Sequence, residues 1–376
     1  MDERSHRGLS KRVMSNEHNS HPLVLVLDGG ISTHLESMQL SASFPDRNLW
    51  SSSLLMTESG RSDIQKAHED FYAAGSHIVT SVTYQLSHFA ENHGYDKIEI
   101  NTMLETAIRL ANEAKHKYSS SISSNDHDND NEINMSSRYV IASAGCYGAA
   151  QADGSEYTGD YNLLSIDQLM TFHRARVQTL SKQEINGIAF ETIPALAEVK
   201  AVVQLVKELV ISGECKGFIW ITLACRDCRT LNDGTPVQVV MQAIHKLDPD
   251  GEYIHGIGVN CCKVKYVLEL AAIIARYELA STRRRRAIVL YPNSGEEWDA
   301  KNKSWLEGSG CADTNGNGAH AHDFTMEMMK CVRMIHGLCI ESNNPFLPIF
   351  VGGCCRTTPS TIKALRAAVD EYIDNF

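Results

Sequence analysis

Apolar runs recur along the chain, and each is followed by a stretch in which apolar residues take helical spacing. The runs are Leu23–Gly30, Ser76–Tyr84, Tyr139–Gly148, Gly187–Pro194, Gly217–Cys225, Gly256–Cys262, Ala287–Gly295 and Phe346–Cys355. They are rich in Val and Ile and apolar throughout instead of alternating, which suits parallel strands buried on both faces. Among the helical stretches, one sets Leu104, Ile108 and Ala111 on a single face. Another opens at Thr358–Pro359 with a capping residue and a proline at the first helical position. Eight strand–helix units in order predict an α/β protein of one (β/α)8 TIM barrel. A doubly wound open sheet is the alternative, but it more often carries a glycine-rich phosphate loop, and the chain has no GxGxxG or Walker sequence.

Three segments break the pattern. Residues 1–21 are polar and are expected to form a disordered tail ahead of a barrel spanning 22–376. Insertions are expected at about 119–138 and 307–322. The first is a Ser/Asp/Asn-rich stretch of low complexity. Its Asp126, Asp128 and Asp130 imitate a calcium loop, but the glycine and distant glutamate of an EF-hand are missing. The second holds His320 and His322, two histidines in a glycine-rich loop.

Charge narrows the class of partner. The chain has 376 residues, a net charge of -11 and a pI near 5.8, which argues against nucleic acid as a ligand. Its one basic block, Arg283–Arg286, reads as a solvated loop before a strand. The N-terminal stretch lacks the central apolar run of a secretory signal, and no segment is apolar for long enough to span a membrane. The expected setting is therefore cytoplasmic, with small-molecule substrates and neither nucleic acid nor membrane as partner. Eleven cysteines in a reducing compartment point to metal ligands, catalytic groups or core residues before disulfides.

In a (β/α)8 barrel the chemistry sits at the C-terminal ends of the strands. Those ends carry Asp28-Gly29-Gly30, Ser81 to Tyr84, Cys146 to Gly148, Glu191, Cys225, Asn260-Cys261, Asn293 to Gly295 and Cys354-Cys355. Strands six and eight lie two apart around the ring, so Cys261 can face the Cys354–Cys355 pair. Neighbouring side chains of a regular strand point to opposite faces, so the pair can share an ion only if the chain turns, as Gly352 and Gly353 would permit. Three thiolates suit zinc, and a free fourth position marks a catalytic site. A vicinal disulfide in a thiol-redox protein and three separate core cysteines are the other readings. Three thiols together at strand ends favour the shared ion. The Cys225–Cys228 pair has the CxxC spacing but no second pair, and Cys262 should point away from its neighbour Cys261.

The stretches LDGGISTHLE, GCYGAAQADGSEYTGDY, FETIPALAE, GVNCC, YPNSGEEWDA and VGGCCRTTP resemble the homocysteine S-methyltransferases. That family includes S-methylmethionine-dependent enzymes, betaine-dependent relatives and the homocysteine domain of cobalamin-dependent methionine synthase. The resemblance implies a (β/α)8 barrel binding one Zn2+ through Cys261, Cys354 and Cys355. By the same matching, Asp28 and Glu191 hold the homocysteine ammonium, Gly29 and Ser81 meet its carboxylate, and Asn260 stands beside the first zinc ligand. The implied reaction moves a methyl group from a sulfonium to homocysteine, forming methionine. S-methylmethionine is the preferred donor, then S-adenosylmethionine, with betaine as the alternative. Tyr147, Tyr291 or Trp298 would meet the sulfonium by cation–π attraction.

Overall fold

The computed structural model describes residues 8–13, 21–38, 44–88, 94–123, 137–281, 284–295, 298–299, 304–305 and 319–376. The expected strands form one parallel sheet: β1 (Val24–Val26), β2 (Ile78–Thr80), β3 (Tyr139–Gly145), β4 (Gly187–Ile193), β5 (Phe218–Leu223), β6 (Gly256–Lys263), β7 (Ala287–Asn293) and β8 (Ile349–Val351). Each strand pairs with its neighbours in chain order, and β8 pairs with both β7 and β1. A parallel bridge between Leu27 and Ile78 joins β1 to β2 and closes the ring. There the His77 N–H donates to the Val26 carbonyl at 2.7 Å, and the Val26 N–H donates to His77 Nδ1 at 3.0 Å. Helices separate consecutive strands and bury their apolar faces on the outside of the ring, which is the (β/α)8 barrel that the patterning predicts.

The inside of the barrel is filled by a second apolar cluster, with Leu25, Ile141, Phe218, Trp220, Val289 and Phe350 at its centre. Leu9 and Val13 belong to the same cluster. Residues 8–13 are helical and both side chains are buried, so this part of the polar N-terminal stretch plugs the barrel floor instead of running free. Leu9→Ala should therefore cost about 2–5 kcal/mol, the usual range for a core leucine. A urea titration checks this, and no change in midpoint would mean that the plug contributes nothing.

Two insertion boundaries also shift. The helix Lys97–Ser123 runs into the 119–138 segment, and the helix Ala319–Glu341 begins inside the expected 307–322 loop. His322 is exposed on that helix. Asp126, Asp128 and Asp130 lie outside the described residues. The arginine block corrects the solvated-loop reading at its last member. Arg286 is buried and pairs with Asp248 at 3.2 Å and Glu278 at 3.4 Å, beneath the start of β7. Once taken from water a guanidinium must be matched by such partners, and this one braces the fold.

Candidate active site

Strand β6 does not end as a regular strand. Its register against β7 shifts between Asn260 and Lys263, and Cys261 adopts a left-handed backbone with φ of 51°. Strand β4, two places away, does the same: its register shifts between Phe190 and Ile193, and Thr192 has φ of 61°. A left-handed conformation at a β-branched residue is costly unless its surroundings fix it. Asn260 supplies the fixing. Its Oδ1 accepts the Thr192 N–H at 2.7 Å, and its Nδ2 donates to Thr192 Oγ1 at 2.9 Å. One amide thus clips the two bulges together over the end of β5, and the flanking Glu191 and Cys261 line the pocket.

The Cys354–Cys355 pair arrives by another route than expected. Strand β8 ends at Val351, so both cysteines lie in the turn that follows and alternation no longer separates their side chains. The left-handed residue is Arg356, with φ of 66°, and neither Gly352 nor Gly353 has a positive φ. The glycines are needed for close approach. A Cβ at Gly352 would stand 2.5 Å from Leu27 Cβ, and one at Gly353 would stand 2.2 Å from Thr357 Oγ1. Gly29 and Gly30 meet the same loop from the other side, where a Cβ on Gly30 would lie 2.4 Å from the Cys354 carbonyl oxygen. The Gly30 N–H donates to the Thr357 carbonyl at 3.0 Å.

Three sulfurs converge as a result. Cys355 Sγ lies 3.8 Å from Cys261 Sγ and 4.0 Å from Cys354 Sγ, and all three fall within 4.8 Å of one another. A tetrahedral ion with bonds of about 2.3 Å to sulfur holds its sulfurs about 3.8 Å apart, so the spacing fits a metal. All three cysteines are only partly buried and line the pocket, where a fourth ligand can approach. Hydrogen bonds from Cys261 and Cys354 push Cys355 below the ordinary thiol range.

Two buried carboxylates share the pocket. Asp28, at the end of β1, accepts the Thr80 N–H at 2.7 Å and the Thr80 hydroxyl at 3.1 Å. Burial nevertheless raises it well above the carboxylate range, and the charge of Glu191 adds to the rise. Glu191, on β4, accepts from the Ser143 hydroxyl. Burial brings it to about 7. Carboxylates desolvated in this way gain most when a cation arrives.

Asp28, Gly29, Ser81, Glu191, Asn260, Cys261, Cys354 and Cys355 all line one pocket of about 870 Å³, open to solvent. The described residues lining it include three carboxylates, Asp28, Glu156 and Glu191, and no Lys, Arg or His. The family profile described as homocysteine S-methyltransferase matches residues 25–369.

The chain belongs to the homocysteine S-methyltransferase family.

It is 32% identical over 352 residues to the homocysteine S-methyltransferase YbgG of Bacillus subtilis, covering 93% of this chain and 95% of that protein. It is also 32% identical over 343 residues to the selenocysteine Se-methyltransferase of Brassica oleracea var. italica, covering 91% of this chain and 87% of that protein. Among solved structures, the metallated form of the Escherichia coli homocysteine methyltransferase MmuM superposes with a TM-score of 0.68 at 25% identity, covering 92% of this chain and 96% of that one.

Within this homocysteine S-methyltransferase family member, some sequence expectations land elsewhere. The Ser81 hydroxyl accepts the Ser143 N–H at 3.1 Å and pairs with Thr83 Oγ1 at 2.7 Å. The Thr83 hydroxyl hydrogen goes to the Ser143 carbonyl at 2.6 Å, so Ser81 must be the donor to Thr83. Its own N–H goes to the Ile141 carbonyl at 3.0 Å. Ser81 therefore has no donor left for a substrate carboxylate and instead steadies Ser143, which holds Glu191. Tyr147 does not line the pocket. It packs edge-on against Tyr161 and Phe172, and its N–H donates to buried Glu198 at 2.6 Å. Glu198 also accepts from the Tyr161 hydroxyl at 2.8 Å and from His173 Nε2 at 2.9 Å, so this corner is structural. Tyr291 does line the pocket, its hydroxyl 2.8 Å from Thr222 Oγ1. The side chain of Trp298 lies outside the described residues. Cys225 and Cys262 are buried away from the pocket lining. Tyr84, which the strand-end pattern included, lines it, and so do Trp50, Glu156 and Tyr157, to which sequence reasoning assigned no role. Only the GSEYTG motif, quoted for its resemblance, pointed toward the last two.

Proposed function

We propose that this enzyme transfers a methyl group from a sulfonium donor, S-methylmethionine before S-adenosylmethionine, to the thiol of L-homocysteine, with one zinc ion held by Cys261, Cys354 and Cys355. The observation that carries this reading is the pocket lining: three thiols within 4.8 Å of one another beside three carboxylates, with no cationic side chain among the described lining residues. Zinc bound there supplies a Lewis acid that favours the thiolate of an incoming thiol at neutral pH.

The chain's own residues do the rest. Asp28 and Glu191 bind the homocysteine ammonium and fix the direction of its thiol, and such orientation supplies much of the rate in two-substrate steps. Thr80 and Ser143 keep those carboxylates in place. The homocysteine proton is released, a carbon–sulfur bond forms to the methyl group, and the donor's carbon–sulfur bond breaks. The bonding pair stays on the donor sulfur, which leaves as a neutral thioether, so no general acid is required. An amino-acid sulfonium carries two positive charges and one negative, while betaine carries one of each. A pocket lined by carboxylates alone favours the first. Tyr291 and Trp50 line the pocket and are the aromatic side chains we assign to the sulfonium. The reaction belongs in the cytosol, where the thiols stay reduced.

Chelator dialysis tests the metal. Activity should vanish with the zinc and return at one equivalent per chain; full activity in zinc-free protein would overturn the reading. Asn260→Ala tests the clip. Freed of its amide, Thr192 can leave its strained backbone and Cys261 loses its fixed direction. Zinc affinity should fall about 10- to 100-fold, as when a group supporting a ligand is lost. Competition with a chromophoric chelator measures it, and unchanged affinity would make the clip a matter of stability alone.

A further inference from the structure

Two amino acids must enter this pocket if the proposed reaction holds, and each brings an ammonium. Asp28 and Glu191 account for one. Glu156 is the third carboxylate of the lining, and its Oε2 is buried without a hydrogen-bond partner among the described residues. Such an oxygen is costly unless something donates to it. Its position is built, not incidental. Gly148 lets the loop close in, since a Cβ there would lie 2.4 Å from the Glu156 N. From the far side Asn232 Nδ2 donates to the Glu156 carbonyl at 2.8 Å. Tyr84 and Tyr157 line the same pocket as Cys261 and this carboxylate.

On the reading that the pocket transfers a methyl group from a sulfonium, we propose that Glu156 binds the α-ammonium of the donor and selects amino-acid sulfoniums over donors that lack an N–H. A donor without an ammonium leaves Oε2 buried and unpaired, and sites built to pair a polar group reject analogues that lack it. The test compares S-methylmethionine with its des-amino analogue, 4-(dimethylsulfonio)butanoate, on zinc-loaded wild-type protein and on Glu156→Gln. Wild-type protein should prefer S-methylmethionine. In the variant the ratio of kcat/KM for the two donors should fall about 10- to 150-fold, as expected for a lost charged hydrogen bond. KM for homocysteine should stay in place, which also reports that the variant is folded. An unchanged donor ratio, or a loss that falls equally on both donors, would overturn the assignment. So would a rise in the KM for homocysteine, which would move Glu156 to the acceptor side. If wild-type protein takes a methyl group from neither sulfonium, the reading beneath the assignment fails, and the assignment with it.

Discussion

Cys354→Ser protein is expected to fold, to lose its metal and to lose methyl transfer with it. Serine removes a soft, ionisable donor and keeps the shape of the side chain. The loop that carries Cys354 is held by backbone contacts independent of the sulfur: its N–H donates to the Pro292 carbonyl at 2.8 Å, and its carbonyl accepts the Thr357 hydroxyl at 2.7 Å. The barrel around it is unchanged, so the thermal midpoint of the metal-free variant should match that of metal-free wild-type protein. Losing a group that merely supports a ligand costs about 10- to 100-fold in affinity, and losing the ligand itself should exceed that. Metal content by mass spectrometry and turnover with homocysteine should fall together. A variant that kept full activity would refute the three-cysteine site.

The second large effect concerns the acceptor. Glu191→Gln keeps a hydrogen-bonding partner for Ser143 and removes the charge that faces the homocysteine ammonium. A hydrogen bond to a charged group is worth about 1.5–3 kcal/mol, so kcat/KM for homocysteine should fall about 10- to 150-fold. Asp28→Asn should act in the same direction. Asp28 feels the charge of Glu191 and both are assigned to one ammonium, so the double variant should lose less than the product of the single losses. Donor KM should move little in all three. An effect on the donor without one on homocysteine would exchange the roles of the two ends of the pocket.

Much of this was legible in the sequence because it depends on period and position. Runs apolar throughout suit strands covered on both faces, and eight of them alternating with helical stretches favoured the ring over an open sheet. Asp28, Glu191 and the three cysteines stood out because a polar or sulfur-bearing residue at the end of an apolar strand has few structural reasons to be there. What stayed hidden depends on backbone conformation and on long-range approach. Nothing in GVNCC announces that Cys261 is left-handed, or that Asn260 reaches Thr192 in a strand two places away. The glycines beside the cysteines were legible as special and misread in kind. Gly352 admits the Leu27–Asp28 segment and Gly353 the Thr357 side chain, while Arg356 makes the turn. Ser81 was placed correctly in the pocket, but only its hydrogen-bond partners reveal that its proton is already committed. Leu9 and Val13 were lost in a polar stretch too short to show a period.

The most direct test of the central claim is one competition assay. Reduced, zinc-loaded protein receives homocysteine together with S-methylmethionine, S-adenosylmethionine and betaine, each bearing a methyl group of distinct isotopic mass. The methionine formed should carry the label of a sulfonium, that of S-methylmethionine before the other. Methionine labelled from betaine, or no labelled methionine while zinc is bound, would contradict it.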